Sequence, residues 1–319
     1  MPTALITGAS GQDGGYLVDR LLADSWAVCA LVRKNDASSL PDVVRSFTGD
    51  LRDAAGLSRI VTEAEPDAVF HLAGLSSVAL SWKEPVLTAE VTGTAVAALL
   101  EASLALQEST GREVRFVQAS SSEIFGAATE NPQTEATPLR PVSPYGAAKA
   151  FAHHLVGVYR GRGLHASSGI LYNHESPRRP MSFVTRKITA GVAAIAVGAE
   201  TGLSLGNLDV RRDWGWAPDY VDALVRASLA DTPGDYIVAT GVAHSVREFV
   251  AAAFTAVGIN DWEHLVSLDP RFARPVDTPE MRGDASRARE VLGWAPTVGF
   301  EEIVARMVEH DLELARRAR

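Results

Sequence analysis

Thr3-Ala4-Leu5-Ile6-Thr7-Gly8-Ala9-Ser10-Gly11-Gln12-Asp13-Gly14 stands at the N-terminal end of the sequence and leads into Tyr16-Leu17-Val18-Asp19-Arg20-Leu21-Leu22. The apolar run before Gly8 reads as a strand, and the apolar residues after Gly14 recur at helical spacing, so the stretch is strand, glycine turn, helix. Glycines at 8, 11 and 14 permit a tight turn, close approach of backbone to a pyrophosphate, and close packing of helix on sheet. The N–H groups of the helix start are then available to phosphates. A glycine triplet alone is a weak signal; between a strand and a helix it predicts a dinucleotide site on a Rossmann-type, doubly wound parallel α/β sheet.

The next elements extend that sheet. Ala27 to Val32 reads as a second strand ending at Arg33-Lys34, where an acid for ribose hydroxyls is usual. A basic pair there suits a ribose 2′-phosphate, hence NADP rather than NAD. A third strand leads to Thr48-Gly49-Asp50-Leu51, which offers Asp50 to an adenine amino group, and Asp67 to Gly74 reads as a fourth strand with a small-residue end. His71 is read as a polar residue at that strand end without a catalytic role. Pro85 to Glu108 reads as one long apolar helix interrupted only by Gly93, with an outer face suited to helix pairing in a dimer.

Val114 to Ser120 is a further strand running into Ser121-Ser122-Glu123, and Asn131 to Val142 is a proline-bearing loop that delivers the chain to Ser143-Pro144-Tyr145-Gly146-Ala147-Ala148-Lys149. Pro144 suits the first turn of a helix, and the alanine-rich run after it has high helix propensity. Tyr145 and Lys149, four apart, fall on one helix face. A lysine cation beside a tyrosine hydroxyl favours the phenolate, so a lowered phenol pKa and an acid/base role are expected for Tyr145. The spacing alone also occurs on ordinary surface helices. What sets it apart is that Ser121 and Glu123, at a strand's carboxyl end, should face the same crevice.

With 319 residues, 46% of them hydrophobic, the chain can fill a substantial core, and a net charge of −9 without a long basic run argues against nucleic acid as the main partner. Cys29 is the single cysteine and lies in an apolar run, which fits a reducing cytoplasm. No leader is read before Ala4, and no apolar stretch is read as long enough for a membrane span. After a strand around His165 to Leu171, Tyr172 to Pro180 is polar, arginine-bearing and proline-stiffened; Arg211-Arg212 and Arg271 to Arg274 follow. Three basic patches in an acidic chain point to a pocket for a second anionic ligand. The histidines show no metal-ligand spacing, so no metal is expected.

Taken together, the glycine turn, Ser122-Glu123, Ser143 to Lys149, Asn173-His174-Glu175-Ser176-Pro177-Arg178-Arg179, Phe183 to Ile188, Ser204 to Leu208, Arg212-Asp213-Trp214-Gly215 and His244 to Val250 resemble the extended short-chain dehydrogenases/reductases. Among these the chain is most similar to the GDP-mannose 4,6-dehydratase family, and the Asn173 to Arg179 string is the most specific part of the match. The resemblance implies residues 1–171 as an NADP-binding Rossmann domain and 172–319 as a smaller C-terminal domain for a nucleotide sugar, with some interleaving of segments. It implies that Gly8, Ser10, Gly11, Gln12, Asp13, Arg33, Asp50, Leu51, Leu72, Ala73, Gly74, Ser76, Tyr145, Lys149, His174 and Arg179 bind NADP. Ser122, Asn173, Val184, Lys187, Arg212 and Arg274 are implied to line the GDP-sugar site, with Ser121, Glu123, Tyr145 and Lys149 as the catalytic group. The implied activity is that of a lyase, with oxidation at C4, loss of water across C5 and C6, and hydride return to C6. An epimerase or a 4-keto-sugar reductase shares Tyr145 and Lys149 but has no need of Glu123; an NADP-sensing binding module needs none of the catalytic group. The departures from the pattern are Ser121 for threonine, Leu75 for a polar residue, Trp216 for histidine and a shorter Asn35 to Ser46 segment. The last bears on tetramer formation and on NADP preference; a homodimer is the assembly expected.

Overall fold

The computed structural model describes residues 1–33, 40–272, 276 and 278–318. The first half alternates strands and helices: β1 (Thr3–Thr7), α1 (Gln12–Ala23), β2 (Ala27–Val32), β3 (Arg45–Thr48), α2 (Ala54–Ala64) and β4 (Ala68–His71). Two single turns, α3 (Val78–Ser81) and α4 (Pro85–Thr88), precede α5 (Ala95–Thr110), followed by β5 (Arg115–Ser121), α6 (Pro144–Gly161) and β6 (His165–Leu171). The second half carries β7 (Asn173–Glu175), α7 (Val184–Ala196), β8 (Leu203–Leu205), β9 (Arg211–Trp216), α8 (Ala217–Leu229), β10 (Asp235–Val238), β11 (Ala243–Ser245) and α9 (Val246–Ala256). β12 (Val266–Leu268), β13 (Glu280–Met281), α10 (Ser286–Leu292) and α11 (Phe300–Arg317) complete it.

Seven parallel strands in the order β10-β6-β5-β4-β1-β2-β3 form the main sheet. Apart from the exposed edge strand β3, its strands are buried on both faces, as crossover helices require, which is why β1 reads as an unbroken apolar run. Alternation along β1 splits the core in two. Ala4 and Ile6 join Leu17, Phe70 and Tyr220 on one side, while Leu5 joins Leu57, Val69, Leu99 and Val156 on the other. A third core, built on Ile188, Trp214, Phe249, Ile303 and Met307, belongs to the second half. There β9 pairs with β7, β11 and β13, and β8 pairs with β12. The halves interleave, because β10 returns to the edge of the main sheet and α8 packs on α1.

The glycine turn needs its glycines for steric reasons. Gly8 sits at φ +78, and a Cβ there would lie 2.8 Å from the Ala73 amide nitrogen; a Cβ on Gly14 would fall 2.1 Å from the Gly8 carbonyl oxygen. Residues 85–108 are not the single α-helix expected from their composition. Ala89–Thr94 is a π-helical segment between α4 and α5, and it brings Gly93 against α6, where an added Cβ would be 3.5 Å from the Ala148 carbonyl oxygen. Pro85–Thr110 is also, by length and composition, apolar enough to cross a membrane, contrary to the reading of no such stretch. Its apolar window is 56% buried within the protein, against α2 and α6, as a core helix is.

Candidate active site

The site forms where β1, β4, β5 and β6 end. Ser143 caps α6 by accepting a hydrogen bond from the Gly146 amide at 3.0 Å, and Pro144 fills the first helical position. This puts Tyr145 in the first turn and Lys149 one turn later, both buried. Opposite them β5 ends at Ser121 and passes into a 3-10 turn, Ser122–Ile124, whose Glu123 amide donates to the Ser121 hydroxyl at 3.3 Å. Gly146 lets the two elements meet: a Cβ there would lie 2.6 Å from the Glu123 carbonyl oxygen. That glycine was not among the candidate residues, though its place between Tyr145 and Lys149 was a signal that something approaches the helix closely.

The electrostatics differ from the sequence expectation. Burial pushes the Tyr145 phenol up to about 12; the hydrogen bond with Ser121 and the charge of Arg179 pull it down, while Glu123 and Asp13 raise it further. Lys149 does not bring the phenol below its ordinary value, because its ammonium donates to the Ala119 carbonyl at 2.6 Å and lies 5.9 Å from the Tyr145 ring centroid. Burial itself lowers Lys149 to about 8, with Asp13 opposing. His71, beneath them, is driven to about 3 by burial and by the Lys149 charge; its Nδ1 lies 2.6 Å from the Thr7 hydroxyl, so it is a neutral structural histidine.

The glycine turn is tied to the other half of the chain. Gln12 donates to the His174 carbonyl at 3.1 Å and accepts from the Ser176 hydroxyl at 2.8 Å. His174 Nε2 meets Asp13 at 2.9 Å, Nδ1 donates to the Tyr172 carbonyl at 2.7 Å, and the ring stacks on Tyr220 with centroids 4.6 Å apart. Burial works against both charges, but the ion pair wins, raising His174 and holding Asp13 below the usual carboxylate range. Arg179 pairs with the buried Glu175 at 3.2 Å and lies over the Phe183 ring at 3.9 Å. A loop with no room for side chains at Gly8 and Gly14, leading to a helix whose N-cap Gly11 provides no side-chain cap, fits a pyrophosphate.

The remaining candidates are less uniformly placed. Leu72, Ala73 and Gly74 follow β4, with the Ala73 amide bonded to the Thr7 hydroxyl at 3.2 Å, and Ser76 is exposed beyond them. Arg33 stands exposed at the end of β2; Lys34 lies outside the described residues. Asp50, next to Leu51, is occupied by Arg52 at 2.6 Å, whose hydrogen bonds bring its carboxyl down to about 2, so an adenine amino group would have to share it. In the second half, Asn173 begins β7, Val184 begins α7, and Ser122 is buried in the turn beside Glu123. Lys187 lies over the Phe272 ring at 3.3 Å, and Arg212 donates to the Thr278 carbonyl at 2.8 Å, contacts at the two ends of the segment 272–278. Arg274, in that segment, lies outside the described residues. Arg211 is instead paired with Glu248 and Glu280 at 3.1 and 3.4 Å, and Arg271 with Asp269 at 2.6 Å.

Residues 5–307 match the family model described as GDP-mannose 4,6 dehydratase. GDP-mannose 4,6 dehydratase 1 of Arabidopsis thaliana is 44% identical, with 98% of this chain and 91% of that one aligned. The human GDP-mannose 4,6 dehydratase is 40% identical, over 98% and 92% of the two chains. Among solved structures, the Thermotoga maritima UDP-glucose 4-epimerase with UDP-glucose superposes with a TM-score of 0.87 at 25% identity, covering 98% of this chain and 99% of that chain. The Thermus thermophilus UDP-glucose 4-epimerase in complex with NAD gives 0.84 at 30% identity, over 97% and 98%.

Proposed function

Since the chain belongs to the GDP-mannose 4,6-dehydratase family, we propose that it is a lyase converting GDP-mannose to GDP-4-keto-6-deoxymannose with NADP as resident cofactor. The observation that carries this reading is the packing of the Ser121–Glu123 turn against the first turn of α6, which sets a carboxylate beside Tyr145. A 4-epimerase, as in the superposed structures, also uses this fold, but that chemistry has no task for a base at C5. Incubation with GDP-mannose and NADP+ is expected to yield a product lighter by one water in mass spectrometry; a product of unchanged mass would favour the epimerase.

In the proposed mechanism Tyr145, hydrogen-bonded to Ser121, takes the proton of the C4 hydroxyl. It would do so as the phenolate, a form that burial opposes and that the positive charges of Lys149 and of a bound oxidised nicotinamide would favour. The bound nicotinamide supplies the hydride acceptor at C4 and the hydride returned to C6, so no external oxidant is consumed. With a carbonyl at C4 the C5 proton is acidic; Glu123 would accept it and pass it to the C6 hydroxyl, which leaves as water as the C5–C6 double bond forms, and C5 would regain a proton from solvent when the hydride is returned to C6. Gly8 to Asp13 would receive the cofactor's pyrophosphate, His174 and Asp13 hold the turn against β7, and Lys187 with Arg212 would meet the diphosphate of the sugar nucleotide.

Lys149 gives this scheme a pH signature. As pH rises through about 8 the lysine loses its proton and the charge that supports the phenolate. Because kcat/KM reports groups of the free enzyme, it should rise with pH as the phenolate fraction grows, roughly tenfold per unit, and level off above about pH 8, where the loss of the Lys149 proton offsets that gain; a rise that continues unbroken to about pH 9.5 would contradict it. Unfolding does not mimic the levelling through this group: its folded value lies below the ordinary 10.5, so the unfolded chain holds that proton more tightly and stability from Lys149 rises between the two values.

Cofactor choice rests on Arg33. A guanidinium on a 2′-phosphate makes charge-assisted hydrogen bonds worth roughly 1.5–3 kcal/mol, so wild type should bind NADP+ at least about tenfold more tightly than NAD+. Calorimetric titration checks this, and equal affinities would refute it. For assembly we favour a dimer through α4, α5 and α6, whose outer face exposes Val86, Phe151 and Val158. Light scattering at micromolar concentration should give twice the chain mass, and Phe151→Glu with Val158→Glu should give monomers.

A further inference from the structure

The last helix, α11, packs on α7 away from the Tyr145 crevice, yet it carries a buried carboxylate that meets Arg186 and Thr189 of α7. Asp311 receives one edge of the Arg186 guanidinium: Nε lies 2.8 and 2.9 Å from its two oxygens and Nη2 lies 2.6 Å from Oδ1. The Thr189 hydroxyl donates to the same carboxylate at 2.6 Å. The side chains of Arg186 and Asp311 are only 9% and 3% exposed. The remaining nitrogen, Nη1, points the other way and donates to the carbonyls of Pro177 and of Arg179, the latter at 3.1 Å.

One guanidinium therefore bridges the C-terminal helix and the backbone of residues 177–179. The side chain of Arg179 is fixed from its own end by Glu175, to which Thr185 also donates at 2.6 Å, and by Phe183. Lys187 follows Arg186 directly on α7, so the arginine that holds the loop also sets the turn presenting the lysine. We propose that Asp311 is a positioning residue for the nucleotide-sugar site: acting through Arg186, it clamps residues 176–183 and the first turn of α7 so that Arg179 and Lys187 stand in fixed relation. The inference rests on the function proposed above for that site, and Asp311 itself touches none of the residues assigned to chemistry.

Removing the carboxylate's charge leaves a buried guanidinium without its counter-ion, which must turn toward water and release the two carbonyls. Asp311→Asn should then raise the KM for GDP-mannose about tenfold or more while kcat stays within about threefold, the split expected when binding is lost but chemistry is not. Since a half-broken buried pair can prevent folding, the deciding variant is the double replacement Arg186→Met with Asp311→Leu, in which apolar groups of similar size fill the space. It should melt near the wild-type temperature and still show the raised KM. The clamp is also read without substrate, by hydrogen exchange at the Arg179 and Phe183 amides, which donate to Ser176 and Pro180 carbonyls at 3.0 Å each. Exchange there should quicken about tenfold or more in the double variant. A stable double variant with wild-type exchange and wild-type KM would overturn the proposal. If wild type does not turn over GDP-mannose at all, the reading of the function falls, while exchange in the loop still decides whether Asp311 clamps it.

Discussion

Tyr145→Phe should lower turnover by about 10⁴-fold, the upper end of what a positioned acid/base group supplies, while the protein stays folded and binds its ligands. The ring keeps its place in the first turn of α6, so its apolar burial is retained. What is lost is the hydroxyl bonded to Ser121. Neither neighbour can replace it: Ser121 is a far weaker acid than a phenol, and the Lys149 ammonium is committed to the Ala119 carbonyl at 2.6 Å. Without an acceptor for the C4 hydroxyl proton the first step stops, and a single-turnover mixture should develop no absorbance of reduced cofactor. Reduction at a rate within tenfold of wild type, as an order of magnitude, would mean that another group takes the proton.

Glu123→Gln separates dehydration from redox chemistry. An amide of the same shape keeps the 3-10 turn, whose anchor is the backbone bond to Ser121, and leaves the contact with Gly146 intact. It cannot accept a proton. Turnover should fall by about 10²- to 10⁴-fold, with oxidation at C4 still occurring but neither exchange of the C5 hydrogen with deuterated water nor release of water. Removing a negative charge that raises the Tyr145 phenol should, in addition, make Tyr145 somewhat easier to ionise. Dehydration within a few-fold of wild type would show that the C5 proton goes elsewhere.

The parts of this arrangement legible in the sequence are those that local sterics dictate. Gly8 and Gly14 have no room for a side chain, so their spacing carried the turn and, with the apolar run before it, the sheet. The meeting of Ser121 and Glu123 with Tyr145 followed from the rule that active groups gather at strand ends. Depth was not legible. The four-residue spacing of Tyr145 and Lys149 gives their common face but not their burial, and burial reverses the expected shift of the phenol. Likewise a string of arginines does not say what each one holds: Arg211 and Arg271 hold carboxylates, whereas Arg212 donates to the Arg211 and Thr278 carbonyls. The π-helical break at Ala89–Thr94 was not legible, since the segment packs on α6, far along the chain, and nothing in the local pattern marks it. Asp311 was out of reach for the same reason, its partner Arg186 lying 125 residues away in the chain.

On the proposed mechanism one site oxidises C4, removes water across C5 and C6, and reduces C6 within a single turnover. GDP-mannose carrying deuterium at C4 tests it most directly. Wild type with catalytic amounts of NADP+ should release a product lighter by one water in which the deuterium has left C4 and is recovered at C6. A product of unchanged mass that keeps its deuterium at C4 would contradict the account.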